Sequence, residues 1–246
     1  MSRKTKKTIN AKRKKTPASL SSNDRDVSSE VAFQKIKQMM YQNQLAAGQK
    51  IIYQDLAKKL DLSITPVVNA LGRLLMLKLV SYELNRGYFV RTITENETVE
   101  LYKAREALET FIIPEVIKNM NSEKLNAIKS AYKEHVIEKS PYHRRLVLMR
   151  DLGLHLKIVE MAGNSVIYDI VKGIFERIYL GYRPEYLVDQ RIKSVVKEHR
   201  AILDALESRD IEAAIETTKK HIRNGMNYVL QSIHREEEFL DEYNYI

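Results

Sequence analysis

The chain has 246 residues, 44% of them hydrophobic, with 41 Lys and Arg against 32 Asp and Glu for a net charge of +9. That is enough apolar content for one large core or two ordinary ones, and the absence of Cys excludes a disulfide framework and thiolate metal sites. No apolar run reaches the roughly 18 residues of a membrane span, and the basic N-terminus lacks the apolar stretch of a secretory signal, so a cytoplasmic protein without a membrane partner is expected.

Residues 1–26 carry Arg3, Lys4, Lys6, Lys7, Lys12, Arg13, Lys14 and Lys15 with no acid before Asp24 and almost no large apolar side chain. This composition predicts a disordered basic arm. Such an arm is either a solvated tail or a strand of cations that neutralises nucleic-acid phosphates.

Residues 27–93 read as a second unit. In 28–46, Val31, Phe33, Ile36, Met39, Met40 and Leu45 recur at helical spacing behind a Ser N-cap, and Gly48 follows. A short helix is expected in "IIYQDLAKKLDL" and a third in "SITPVVNALGRLLMLKLV". There Ser63 or Thr65 can cap, Pro66 suits the first turn, and Val67, Ala70, Leu71, Leu74 and Leu75 form the buried stripe. Tyr82, Leu84, Tyr88, Val90 and Ile93 then suggest two strands around an Asn85-Arg86-Gly87 turn. Three helices and a hairpin make a winged helix-turn-helix, with the third helix as reader and the hairpin as wing.

From Thr94 the strand signals stop. Helical stretches are expected at about 95–119, 122–138, 141–162, 164–182, 186–207 and 210–240, broken at Asn121-Ser122, Ser140-Pro141, Gly163-Asn164, Arg183-Pro184 and Ser208-Arg209-Asp210. Short connections between long amphipathic helices predict an antiparallel bundle over 94–246. The expected fold is therefore mainly α: an N-terminal winged helix-turn-helix plus an all-α bundle of about six helices.

One stretch of that bundle, "DLGLHLKIV", sets Asp151 and His155 one turn apart on one helix face among leucines. Buried groups of this kind need partners. His199 is in phase with Val195, Ile202 and Leu206, and His221 with Ile211, Ala214, Thr218 and Gly225, so both point inward. His234 lies roughly 220° around the helix from His221, and His135 and His143 sit near a break. These are either ordinary core histidines or a divalent-metal set of Asp151, His155, His199 and His221. Three imidazoles and a carboxylate suit zinc first, and also nickel, manganese or iron.

The segments "LAAGQKI", "DLAKKLDLSITPVVNAL" and "NRGYFV", followed by Asp151/His155, "AGN" at 162–164, "EH" at 198–199 and His221, stand in a specific order. Over residues 28–240 the chain resembles the GntR family of bacterial transcription regulators, in its FadR-like branch with an FCD-type ligand domain. The resemblance implies a homodimeric, ligand-responsive regulator, a repressor rather than an activator, on a pseudo-palindromic double-stranded DNA operator. It implies a metal on the four residues above and a small carboxylate effector held by the metal and by Arg105, whose other reading is a surface side chain in an i, i+4 pair with Glu109. Tyr102 and Arg177 are further candidates for the effector cavity, and Asn164 is either a helix cap or a ligand contact.

The expected DNA contacts are Ser63, Ile64, Thr65, Val68, Asn69 and Arg73 on the reader, Arg86 and Gly87 on the wing, and Lys12, Arg13, Lys14 and Lys15 on the arm. The reader departs from the family pattern, which has Arg where Ile64 and Val68 stand and Glu where Asn69 stands. A bidentate Arg–guanine contact is worth roughly 1–3 kcal/mol of discrimination. The departure leaves three accounts: a different, AT-rich operator read through Thr65, Asn69 and methyl contacts from Ile64 and Val68; reliance on the arm and Arg86; or lost specificity. A mixture of the first two is expected, with a steep salt dependence. The alternatives are a non-specific architectural DNA binder and, further off, a metal-dependent enzyme. The chain has neither paired Glu-x-x-His motifs nor His-Glu-x-x-His, and no enzyme is expected.

Overall fold

A computed structural model describes residues 22–136, 143–183, 185 and 187–243. The arm residues Lys12, Arg13, Lys14 and Lys15 lie outside the described residues. The N-terminal unit runs α1 (Ser22–Tyr41), β1 (Lys50–Ile51), α2 (Tyr53–Leu60), α3 (Ile64–Met76), β2 (Val80–Glu83) and β3 (Gly87–Val90). Ala32, Phe33, Ile36 and Met40 of α1 pack on Val67, Ala70, Leu71 and Leu74 of α3 in one apolar cluster. Asp61 ends α2 in the left-handed conformation (φ 54°), and its N–H returns to Ala57 and Lys58 carbonyls, which turns the chain sharply into α3. Ser63 occupies the N-cap position of α3, but its hydroxyl makes no capping bond.

β2 and β3 form the expected antiparallel hairpin, with Tyr82 opposite Tyr88 and their rings 5.0 Å apart. Its turn needs a positive φ at Gly87 (94°), which glycine adopts at no steric cost. The sequence reading missed β1, which adds Lys50 opposite Phe89 and Ile51 opposite Tyr88 to give the order β1-β3-β2. Two residues carry no alternation to read.

The remainder is helical: α4 (Glu95–Phe111), α5 (Ile113–Asn119), α6 (Ser122–Val136), α7 (His143–Met161), α8 (Ser165–Gly181), α9 (Asp189–Glu207) and α10 (Ile211–Tyr243). Thr94 caps α4 by accepting from the Glu97 N–H. The single helix expected over 95–119 is broken at Ile112. Pro114 stands in the first turn of α5, where its missing N–H costs nothing, so it starts a new helix instead of continuing the old one. α7 is central, buried through Val147, Leu148, Leu152, Leu154, Ile158 and Val159, and packs on α5, α6 and α8, while α10 packs on α4, α5 and α9. No helix among the described residues is long and apolar enough to cross a membrane.

The two units have separate apolar clusters with one exchange. Leu180 of α8, 2% exposed, belongs to the cluster of the N-terminal unit. Around it the Ile93 N–H donates to the Gly181 carbonyl at 3.2 Å. Glu176 of α8 pairs with Lys37 and accepts from the Tyr41 hydroxyl of α1, each at 2.7 Å.

Candidate metal centre

α7 supplies Asp151 and His155, α9 supplies His199 and α10 supplies His221. All four are buried, and one ligand atom from each lies within 4.8 Å of the others. His155 Nε2 is 3.0 Å from His221 Nε2, and His199 Nε2 is 3.1 Å from Asp151 Oδ1. The Tyr179 hydroxyl donates to Asp151 Oδ2.

A second layer fixes the rings. Glu109 accepts from His155 Nδ1 at 2.7 Å and from Arg105 Nε at 2.7 Å. Glu198 accepts from His221 Nδ1 at 2.8 Å, from Arg191 at 2.8 Å and from Asn224 at 2.9 Å. A carboxylate on Nδ1 assigns the proton to that nitrogen and leaves Nε2 as a lone pair. In His155 and His221 the two lone pairs then face each other at 3.0 Å, which is repulsive unless a cation joins them. The donor set, three imidazole nitrogens and one carboxylate, fits a divalent ion with a position left open.

Electrostatics agree with that donor state. Burial, then the neighbouring His199, pushes His221 down to about 3 despite its bond to Glu198. Burial also lowers His199. Burial alone would raise Asp151, but the His199 hydrogen bond and the surrounding imidazoles hold it well below the usual carboxylate range. Burial likewise opposes the ionised form of Glu109, and the Arg105 charge and the His155 contact outweigh it, to about 2. Glu198 is also held at about 2: its bonds to His221 and Arg191 overcome burial.

The pH dependence has a definite sign. Unfolded, His221 takes a proton near 6.5; folded, only near 3. Its stabilisation is full above pH 6.5 and is lost as pH falls from there toward 3. Glu109 and Glu198 add a second loss between 4.5 and 2. Chelator-treated protein is therefore expected to melt at a steadily lower temperature as pH drops below about 6.5. A melting temperature that stays flat down to the carboxylate range would contradict the assignment.

Beside the four residues is a cavity with Tyr102, Arg105, Asp151, Tyr179 and His221 on its wall. Tyr102 closes against Gly225 of α10, where a Cβ would stand 3.1 Å from the ring. Of the four expected effector residues, Arg105 and Tyr102 reach this cavity. Arg177 does not: it is turned to the junction between the units and pairs with Glu97, which also holds Arg91. It sits two residues from Phe175 and Tyr179, so helical phase carries it off their face. Asn164 does not reach the cavity either; exposed, it caps α8 by accepting from the Ile167 N–H at 3.0 Å. Glu109 was expected only as a surface partner of Arg105, whereas the pair is buried and also holds His155; Glu198, Arg191 and Tyr179 were missed. Glu109 is four residues from Arg105 and Glu198 adjoins His199; those spacings were the available signal.

On the reader, Ser63, Ile64, Thr65 and Asn69 are exposed or half-exposed and Val68 is half-buried. Asn69 Nδ2 leans 3.4 Å toward the Ser29 hydroxyl. Arg73 differs from expectation: α1 captures it, with Glu30 at 2.6 Å and the guanidinium 4.1 Å from the Phe33 ring centre. Arg86 pairs with Glu83 across the wing turn, beside Gly87. His234 is exposed and pairs with Glu95, away from the four.

Residues 100–224 match the FCD domain family. The chain is 22% identical over 198 residues to the HTH-type transcriptional regulator YdhC of Bacillus subtilis (strain 168), covering 80% of this chain and 86% of the relative. It is 23% identical over 186 residues to the Nta operon transcriptional regulator of Aminobacter aminovorans, covering 76% and 87%. Among solved structures, E. coli McbR/YncC superposes with a TM-score of 0.73 at 18% identity, over 84% of this chain and 98% of that one. A GntR transcriptional regulator from Rhodococcus sp. RHA1 does so with 0.73 at 20%, over the same shares. These likenesses place the fold as an N-terminal helix-turn-helix followed by a helical domain.

Proposed function

The chain belongs to the FCD-domain branch of the GntR family, a family of transcription regulators and not of enzymes, and on that premise we propose that it is a homodimeric repressor whose operator affinity is set by a small carboxylate bound beside a divalent metal. Residues 27–93 are the DNA-binding unit and 94–246 the sensing unit. The start of α3, with Ser63, Ile64, Thr65 and Asn69, enters the major groove, and Val68 stands behind it. Arg86 and the arm lie on the phosphates.

The observation that carries a sensing role is α8. On one side, Phe175 and Tyr179 face the site: Phe175 lies under the Arg105 guanidinium and Tyr179 bonds Asp151. One residue further along in each case, Glu176 and Leu180 face the N-terminal unit through Lys37, Tyr41 and its apolar cluster. Arg145 of α7 ties the faces together, donating to the Tyr179 carbonyl and to Asn43 at 3.2 Å. A small rotation of α8 thus moves both sites.

Asp151, His155, His199 and His221 would hold the ion, which supplies a positive charge with an open position for an anion. Glu109 and Glu198 fix the imidazole tautomers, Arg105 adds a second positive charge beside that position, and Tyr102 closes the cavity over it. An effector shifts DNA binding only through its preference for one α8 position.

The experiment is a DNA-binding titration of metal-loaded protein against a panel of small carboxylates. At least one is expected to change affinity by about 5- to 150-fold, with no such effect after chelation. Affinity indifferent to every carboxylate and to the metal would sink the regulatory reading. A salt series adds an independent check on the arm. Deleting residues 1–21 should flatten the dependence of log affinity on log salt by about 0.9 for each phosphate that the arm neutralises. An unchanged slope would make the arm a solvated tail, whereas equal binding to any DNA would favour the architectural alternative.

A further inference from the structure

Resting on the carboxylate reading above, we infer that the effector is a monocarboxylate with an apolar body, and that molecules of the same length with a second carboxylate or a terminal hydroxyl are excluded. The head end is Arg105. It is 2% exposed, its Nε is bound to Glu109, and its Nη2 has no hydrogen-bond partner among the described residues. A buried guanidinium donor of this kind is waiting for an acceptor, because leaving it unmatched is costly.

Tyr102, whose ring centre is 5.2 Å from the Arg105 guanidinium carbon, belongs to this head end, and the neutral and cationic groups farther along the cavity wall each have a partner. Arg191 is held by Glu198 at 2.8 Å, the Tyr179 hydroxyl by Asp151, and the Tyr182 hydroxyl by Ser232 at 3.2 Å. The Tyr228 hydroxyl accepts from the Val188 N–H at 2.9 Å. Between them the wall is aliphatic: Val147 and Leu148 from α7, Ile178 from α8, Ile192 and Val195 from α9, and Val229 from α10. A carboxylate head finds Arg105. A polar group at the far end of the same molecule would leave water and meet carbon.

The test uses zinc-loaded full-length protein and matched unbranched acids of four, six and eight carbons, each as the monoacid, the terminal diacid and the terminal alcohol acid. Binding is read by calorimetry. In the length class that binds tightest, the monoacid is expected to bind at least about tenfold tighter than its two polar counterparts. Val195→Thr or Val229→Thr, which adds a hydroxyl to the wall at nearly constant volume, should narrow the gap to the alcohol acid. A diacid or alcohol acid that binds as tightly as the monoacid overturns the inference and leaves the carboxylate reading standing. If none of the acids binds, the carboxylate reading itself fails, and this inference with it.

Discussion

His199→Ala and His221→Ala should each strip the protein of divalent metal. After saturation with zinc and dialysis, wild type is expected to retain about one ion per chain and either variant only a small fraction of that. Each replacement removes one of four converging donors and leaves the rest short of a closed site. Changes in the second layer should be milder. Glu198→Gln keeps the shape but weakens the hold on the His221 tautomer, for a loss of about 10- to 100-fold in affinity. The same series appears in stability, since an ion present at a thousand times its dissociation constant stabilises the folded state by about 4 kcal/mol. That increment should vanish in His199→Ala and shrink in Glu198→Gln. Wild-type metal content in both His variants would show that the four residues are only a polar core.

The second large effect belongs to the junction. Leu180→Ala removes an apolar peg that is 2% exposed in the cluster of the N-terminal unit, and the expected cost is about 2–5 kcal/mol. Arg145→Met leaves the buried Tyr179 carbonyl and the half-exposed Asn43 without their shared donor, at about 1–3 kcal/mol for the unmatched buried carbonyl. Both variants keep the four metal ligands, so zinc content should match wild type. What they should lose is coupling: the ratio of DNA affinities with and without a bound carboxylate falls toward one. A variant that melts earlier yet keeps the full ratio would show that α8 does not carry the signal.

Much of this was legible in the sequence for a physical reason. The helices of both units carry apolar residues at 3.6-residue spacing, and Asp151, His155, His199 and His221 each sit in phase with apolar neighbours, so their burial was readable from helical phase, while their meeting at one place rested on the resemblance. What was not legible depends on contacts between elements. β1 exists only because β3 offers it an edge. The break at Ile112 looks like a continuous helix, because Pro114 is tolerated in a first turn. Arg73 reads as a reader-helix cation until Glu30 and Phe33 are found beside it. Arg177 and Tyr179 are both residues of α8, and only the packing of that helix says which faces the cavity.

The reader surface itself is unusual in chemistry. With Arg73 engaged by α1 and Arg86 by Glu83, the groups presented at the start of α3 are Ile64, Thr65 and Asn69. These can contact thymine methyls and adenine edges but cannot grip guanine as Arg does. Such a reader needs backbone contacts to supply affinity, which is the role given to the basic arm.

The measurement that bears most directly on the account is therefore made on DNA. A fragment enriched by the metal-loaded protein from a random library is compared with the same fragment shuffled, at physiological salt. A preference of about a hundredfold or more, approaching the range of specific regulators, is the predicted result. Equal affinity for both fragments, collapsing together as salt rises, would contradict it and leave a protein that holds DNA by charge alone.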